Sequence, residues 1–495
     1  MYRCIYLLVV FLMLHAPVFA QSGPGDRYRK SFDRYKDRKE RKFDRYVRKQ
    51  EDKFDAYRAK VNAEFGAYMK RKWAAYYIKS AFMPPLRKEP VLPPVFVPDD
   101  VLPEDITVPS GQILSRPLSE EPVPRPEPVV PFEGDTEDQA ADAVSFDFYG
   151  TACTVHVPKT RSAGLSGISE EDVSLMWSEL SSGAYDASVA DCLSLRDRMR
   201  LCDWGYLRLV EEISSVMAGN DTNAASVIQF YILTQSGYNV RLSRSGESLV
   251  LLVPSLQTIY GRSYLELDGI PYYVTGSCGN GESFYVFDRE YPQEKVMSMA
   301  FSQPLLSDSP VGLGTFSSSA GISANIAVDR NLLDYYEDYP HCSWEIYADA
   351  SLSDDIRNSL YPVLRDAIRG KSETEAAGIL LNFVQTAFDY KTDMEQFGYE
   401  RSFFGDETFA FPYSDCEDRA ILYSILVREL LGLDMVLLHY PDHLSSAVRF
   451  SSDVPGDNVI VNGERYVICD PTYINAGIGR CIPQYRTVQA DVICL

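Results

Sequence analysis

Hydrophobic positions follow different rhythms along the chain, and each rhythm predicts a different kind of element. Phe-Asp-Arg-Tyr begins at Phe32 and again at Phe43, Phe-Asp-Ala-Tyr at Phe54, and Phe-Gly-Ala-Tyr at Phe65, a period of 11 residues. Eleven residues make about three helical turns, so the four Phe and Tyr35, Tyr46, Tyr57 and Tyr68 line one seam of a helix expected from Asp26 to Lys79. Such a helix cannot bury its seam alone; it must pack on itself, on a partner or on the rest of the protein. Residues 83–140 have no rhythm and hold 14 prolines, which predicts an extended spacer with no core. Helical patterns return at Asp203–Ile213 and Asn220–Gly237, followed by strand-like Val240–Leu242, Leu249–Val253 and Tyr272–Val274. The C-terminal part repeats that plan. Ser353–Arg369 and Thr374–Phe388 read as helices. Ile421, Leu422, Ile425, Leu426 and Leu430 form a helical stripe between Asp415, a natural cap, and Gly432, a natural stop. Met435–His439, Leu444–Phe450 and Arg465–Cys469 read as strands. The fold class is α+β.

Composition adds an address. Arg3, an apolar run from Ile5 and a small-residue end at Ala20 predict a signal peptide over residues 1–20, hence export to a periplasm or the cell exterior. Its apolar core is too short to span a membrane, and no later run approaches that length. Of ten cysteines, Cys4 leaves with the signal, so an odd number remains. One solution keeps Cys416 free and lets the others pair, with Cys192–Cys202 and Cys481–Cys494 as local options. The net charge of −22 conceals a split: residues 21–82 carry 19 Lys and Arg against 9 Asp and Glu, whereas 83–495 carry 28 against 61. The basic helix therefore reads as a stalk or self-association arm over residues 26–79, or as a dock for an acidic envelope partner. Its aromatics sit on the seam rather than among the basic residues, which argues against specific nucleic-acid recognition.

The chemistry concentrates after residue 410. Cys416 stands at a helix start, where backbone N–H groups and the helix dipole favour a thiolate. Glu417 and Asp418 oppose that effect, so a base is needed. His443 follows 27 residues later and Asp470 another 27 beyond it. An imidazole beside a thiol takes its proton; a carboxylate on the far ring nitrogen fixes the tautomer and steadies the imidazolium. A Cys opening a helix in Asp415-Cys-Glu-Asp-Arg-Ala420, a His opening a strand and Asp470-Pro-Thr-Tyr473 together resemble the transglutaminase-like superfamily of papain-like cysteine enzymes, over roughly residues 340–495. The resemblance implies Cys416 as nucleophile, His443 as base, Asp470 as orienting acid, a helix packed on a small antiparallel sheet, and cofactor-free acyl transfer through a thioester. Water as acceptor gives a peptidase or amidase acting on a protein or peptide; an amine gives a glutamine cross-linking transferase. A non-catalytic scaffold is the third reading. Oxyanion donors, in falling preference, are Gln396, Tyr413 and Gln385 beside the Cys416 amide. No zinc spacing and no phosphate-binding glycine loop is present, so neither a metal nor a cofactor is expected.

Laid over the C-terminal part with an offset of 195, the middle of the chain aligns Gly237 with Gly432 and Ser248-Leu249 with His443-Leu444. This predicts a degenerate copy of the same fold over 141–330, ahead of the catalytic domain at 331–495, with Asp221, Ser248 and Gly276 at the three positions that carry the triad.

Overall fold

The aromatic run that follows the long helix decides where that helix stops. In the computed structural model, which describes residues 25–84, 92–96, 112–113, 115–117, 141–158, 164–219, 221–255, 257–276, 283–287, 291, 295–300, 303–307 and 311–495, the helix is Gly25–Met69. It ends before Lys79 because Trp73 turns into the core and Ala74–Tyr77 pairs antiparallel with Ser283–Val286. A run of aromatics suits a half-buried strand better than an exposed helix. Residues 1–20, where a signal peptide is expected, and most of the proline-rich stretch lie outside the described residues.

The described residues from Ala59 onward form one compact unit, and residues 25–58 belong to another. In the second, Phe43 and Tyr46 are 50% and 61% exposed. Within the larger unit the seam is core. Phe65 lies 5.1 Å from the Trp177 ring and 5.3 Å from Tyr291. Asn62 and Gln235 exchange amide hydrogen bonds, and the Trp177 indole N–H donates to the Asn62 carbonyl at 3.1 Å. Residues 59–69 are thus a wall of the middle lobe rather than a stalk.

The architecture is mixed α+β with mainly antiparallel sheets. The middle sheet runs, edge to edge, Ala74–Tyr77, Ser283–Val286, Arg241–Ser245, Ser248–Pro254, Ile270–Val274 and Tyr264–Leu267. The C-terminal sheet runs Ser115–Pro117, Ala490–Cys494, Met435–Tyr440, His443–Val448, Glu464–Ile468, Asn458–Val461 and Gln112–Ile113. The helix Thr222–Gln235 precedes the first sheet and Cys416–Leu431 the second. Ser283–Val286, Arg241–Ser245, Ser248–Pro254, Ile270–Val274 and Tyr264–Leu267 occur in the same spatial and chain order as the five inner strands of the C-terminal sheet. The structural match puts Thr222, rather than Asp221, opposite Cys416, because Asp221 caps its helix and Cys416 is the first residue inside.

Two boundaries move. The spacer is not free of the core: Gln112–Ile113 and Ser115–Pro117 add parallel strands to the two edges of the C-terminal sheet, and Phe96 packs edge-on against Tyr473. The hairpin Val311–Ser317 and Ser323–Asp329 belongs with the C-terminal lobe, since Phe316 packs on Phe388 and Phe409. Neither local disulfide forms. Cys202 caps the helix Asp203–Ala218 by accepting the Gly205 N–H and lies 3.1 Å from the Tyr335 hydroxyl. Cys192 is buried in its own helix, and the Cys481 thiol donates to the Ile482 carbonyl.

Candidate active site

The helix Cys416–Leu431 is buried on every side from Cys416 to Val427, charged first turn included. It starts where it does because Asp415 is extended (φ −109°) and its N–H donates to the Asp418 carboxylate at 3.2 Å. It stops at Gly432, whose φ of +67° suits a residue without Cβ. The Cys416 sulfur accepts the Leu444 N–H at 3.3 Å, and its S–H donates to Glu417 at 3.4 Å. The sulfur is therefore tied to the amide that follows His443.

His443 opens its strand immediately after the two-residue turn Pro441-Asp442, opposite Tyr440. Its Nε2 lies 2.8 Å from Asp470 Oδ2, with both side chains 2% exposed. Asp470 Oδ1 accepts the N–H groups of Thr472 (2.9 Å) and Tyr473 (3.2 Å). Burial pushes the Asp470 carboxyl up, but the His443 charge and hydrogen bond, with the Thr472 amide, outweigh it and hold the group below the usual carboxylate range. The imidazole is also clamped by stacking: Tyr485 lies 5.2 Å away at 8°, and Tyr440 backs Tyr485 at 4.6 Å. The Tyr485 hydroxyl donates to Asp442 at 2.8 Å. Three residues spread over 55 positions of sequence thus converge in one buried site.

Gln385 is not placed as an oxyanion donor. Its amide nitrogen donates to the carbonyls of Asp470 (3.0 Å), Tyr473 (2.9 Å) and Ala476 (3.0 Å), latching the loop that carries the acid. Its own carbonyl accepts from Arg419 at 3.3 Å. Replacing Gln385 by Leu leaves three buried carbonyls without their donor; we expect a loss of about 2–4 kcal/mol in urea unfolding. The other two oxyanion candidates remain near the chain position of the nucleophile. Tyr413 is one-third exposed on the short strand Tyr413–Ser414, beside Asp389–Tyr390. Gln396 is half-buried at the end of Asp393–Gln396, and its Oε1 has no hydrogen-bond partner among the described residues. Neither touches the triad through a hydrogen bond among the described residues.

The surroundings of the thiol are acidic. One carboxylate oxygen each from Asp393, Glu400 and Glu417 lie within 4.8 Å of one another, as do those of Asp393, Asp415 and Asp418; among the described residues these are the groups that could hold a cation. Burial, then the Glu417 charge, push Asp418 well above its ordinary range, so it weighs less against a thiolate than its formal charge suggests. Asp406, further along the same wall, accepts the Ser353 N–H at 3.1 Å, and burial raises it to about 7. A carboxyl raised in the folded state holds its proton more tightly there than in the unfolded chain. The Asp406 contribution to stability therefore falls as pH rises from about 4 to about 7 and is flat beyond. Asp406→Asn should remove up to about 3 kcal/mol of stability difference between pH 5 and pH 8, measured by urea unfolding; equal differences in both proteins would contradict the assignment.

Sequence reasoning missed Tyr485 and Arg419. Tyr485 sits in a C-terminal loop with no pattern around it. Arg419 was visible in the quoted string, but an Arg in the first turn of a helix reads as a surface residue.

No protein-family model matches the chain, and no curated protein or solved structure matches it either.

Proposed function

We propose that this protein is a cysteine-dependent acyl-transfer enzyme of transglutaminase-like type, acting on a protein or peptide by hydrolysis. The observation that carries the reading is the buried convergence of Cys416, His443 and Asp470. The sulfur is held by the Leu444 amide and His443 Nε2 is fixed 2.8 Å from Asp470. With Nε2 on the acid, Nδ1 is the nitrogen that takes the thiol proton. The thiolate attacks an acyl carbon, the imidazolium returns the proton to the leaving amine, and water then cleaves the thioester. The Cys416 backbone N–H at the helix start is the first oxyanion donor, with Gln396 or Tyr413 as the second.

The matching strand orders support reading the middle lobe as a degenerate copy that has lost this chemistry. There the Leu249 N–H, counterpart of Leu444, donates to Asn223 at 2.8 Å instead of to a sulfur. Export follows from the N-terminal segment and belongs to the same proposal. Incubating the chain with a quenched-fluorescent peptide library, with and without a primary amine, tests the reading. Cleavage that Cys416→Ala abolishes supports hydrolysis, amine incorporation moves the assignment to the transferase, and neither reaction returns the chain to the scaffold reading.

A further inference from the structure

We propose that the middle lobe carries a second binding site, one that takes the carboxylate of a peptide-sized molecule, in the cavity beside Trp204. The cavity measures about 740 Å³, within the range of ligand pockets. No triad residue lines it, and the proposal does not depend on chemistry at Cys416.

The cavity has, among the described residues, an unpaired cation on its wall. Arg262 lies with its guanidinium 5.1 Å from the centre of the Trp204 ring, and it makes neither a hydrogen bond nor an ion pair among the described residues. Burial and the neighbouring Arg208 charge both weigh against its charged form. The Trp204 side chain is 4% exposed, yet its indole N–H has no acceptor among the described residues. Arg208 pairs with Glu211 and Asp338, but its buried Nε likewise lacks one. Asp338 is held from the other side by the Tyr149 hydroxyl at 2.8 Å. The Arg262 guanidinium, unpaired on the cavity wall, therefore points to an acceptor-rich anion, whereas the Trp204 and Arg208 N–H groups are themselves buried.

The chemistry narrows further. Arg262 offers one charge, and with Glu211 and Asp338 set against Arg208 and Arg262 the wall is formally neutral, which favours a monoanion over a dianionic phosphate. The volume is far larger than a bare ion needs, and Leu207, Tyr260 and Tyr339 supply apolar surface beside the charge. A carboxylate on an organic backbone, such as a peptide C-terminus, fits both facts. The site is built in advance. The Tyr260 N–H donates to the His341 carbonyl (2.8 Å), the Gly261 N–H to Phe82 (2.7 Å), and the Val274 N–H to Ser263 (3.0 Å), which pins the backbone on both sides of Arg262. The cation–π contact with Trp204 holds the guanidinium at the wall, where its fork suits two-pronged recognition.

The test is calorimetric titration of the full chain carrying Cys416→Ala, so that the probe is not consumed. The probes are N-acetyl-Ala-Ala-Leu with a free carboxylate and the same peptide as its C-terminal amide. The acid is expected to bind about tenfold or more tightly than the amide. Arg262→Gln should erase that preference with an unchanged melting temperature, and Arg262→Lys, which keeps the charge without the fork, should recover part of it. Equal binding of acid and amide, binding of neither, a preference that survives Arg262→Gln, or inorganic phosphate outcompeting the acid would each overturn the proposal.

Discussion

Cys416→Ala and His443→Ala are each expected to reduce turnover by about 10⁴-fold or more, and the double variant is expected to be no worse than either alone. The reason is that thiol and imidazole act as one unit: without the base the sulfur stays protonated, and without the sulfur the base has nothing to activate. Asp470→Asn should cost less, on the order of 10²–10⁴-fold, because the Thr472 and Tyr473 amides keep the side chain in place while the charge opposite His443 is lost. All four proteins should melt within a few degrees of one another. Steady-state rates on whichever peptide the library selects check this. Single losses that multiply in the double variant would mean that the residues act separately.

The largest effect on stability is expected at Arg419. It is 1% exposed in the first turns of the helix Cys416–Leu431, where burial draws its guanidinium down to about 10, still charged at neutral pH. It donates to the carbonyls of Gln385 (3.3 Å) and Phe388 (2.8 Å) and to the Ser414 hydroxyl (3.1 Å), and it lies 5.4 Å from the centre of the Tyr390 ring. These partners join three elements: the helix Glu373–Thr386, the pair of two-residue strands, and the turn into Cys416. Arg419→Met keeps the volume but orphans all three acceptors and uncovers the acidic wall of Asp415 and Asp418. We expect a loss of about 3–5 kcal/mol in denaturant unfolding. Arg419→Lys should recover only part, since one ammonium cannot span the fork. A loss below about 1 kcal/mol for the Met variant would contradict this role.

What could be read from the sequence was what periodicity and order carry. The helix between Asp415 and Gly432, the strands around it and the α+β class were legible because their apolar spacing is regular. The shared strand order of the two lobes was legible because Gly237 and Gly432, and the strand starts at Ser248 and His443, keep their spacing. Two- and three-residue strands such as Gln112–Ile113 and Ser115–Pro117 leave no rhythm, and their pairing is dictated by the sheet edges they cover. The end of the long helix was misplaced because helical spacing continues past Met69 while burial of Trp73 and sheet pairing override it. Gln385 was singled out for its position but given the wrong task. A glutamine amide serves an oxyanion or three carbonyls equally well, and only the fold brings Asp470, Tyr473 and Ala476 to it.

The central claim is that Cys416 and His443 form an activated pair, and the rate of iodoacetamide alkylation at Cys416, followed by mass spectrometry against pH, tests it most directly. An isolated thiol titrates near about 8.5. The account predicts alkylation well below that pH in the wild type, lost in His443→Ala and weakened in Asp470→Asn. Identical pH profiles with and without His443 would contradict it.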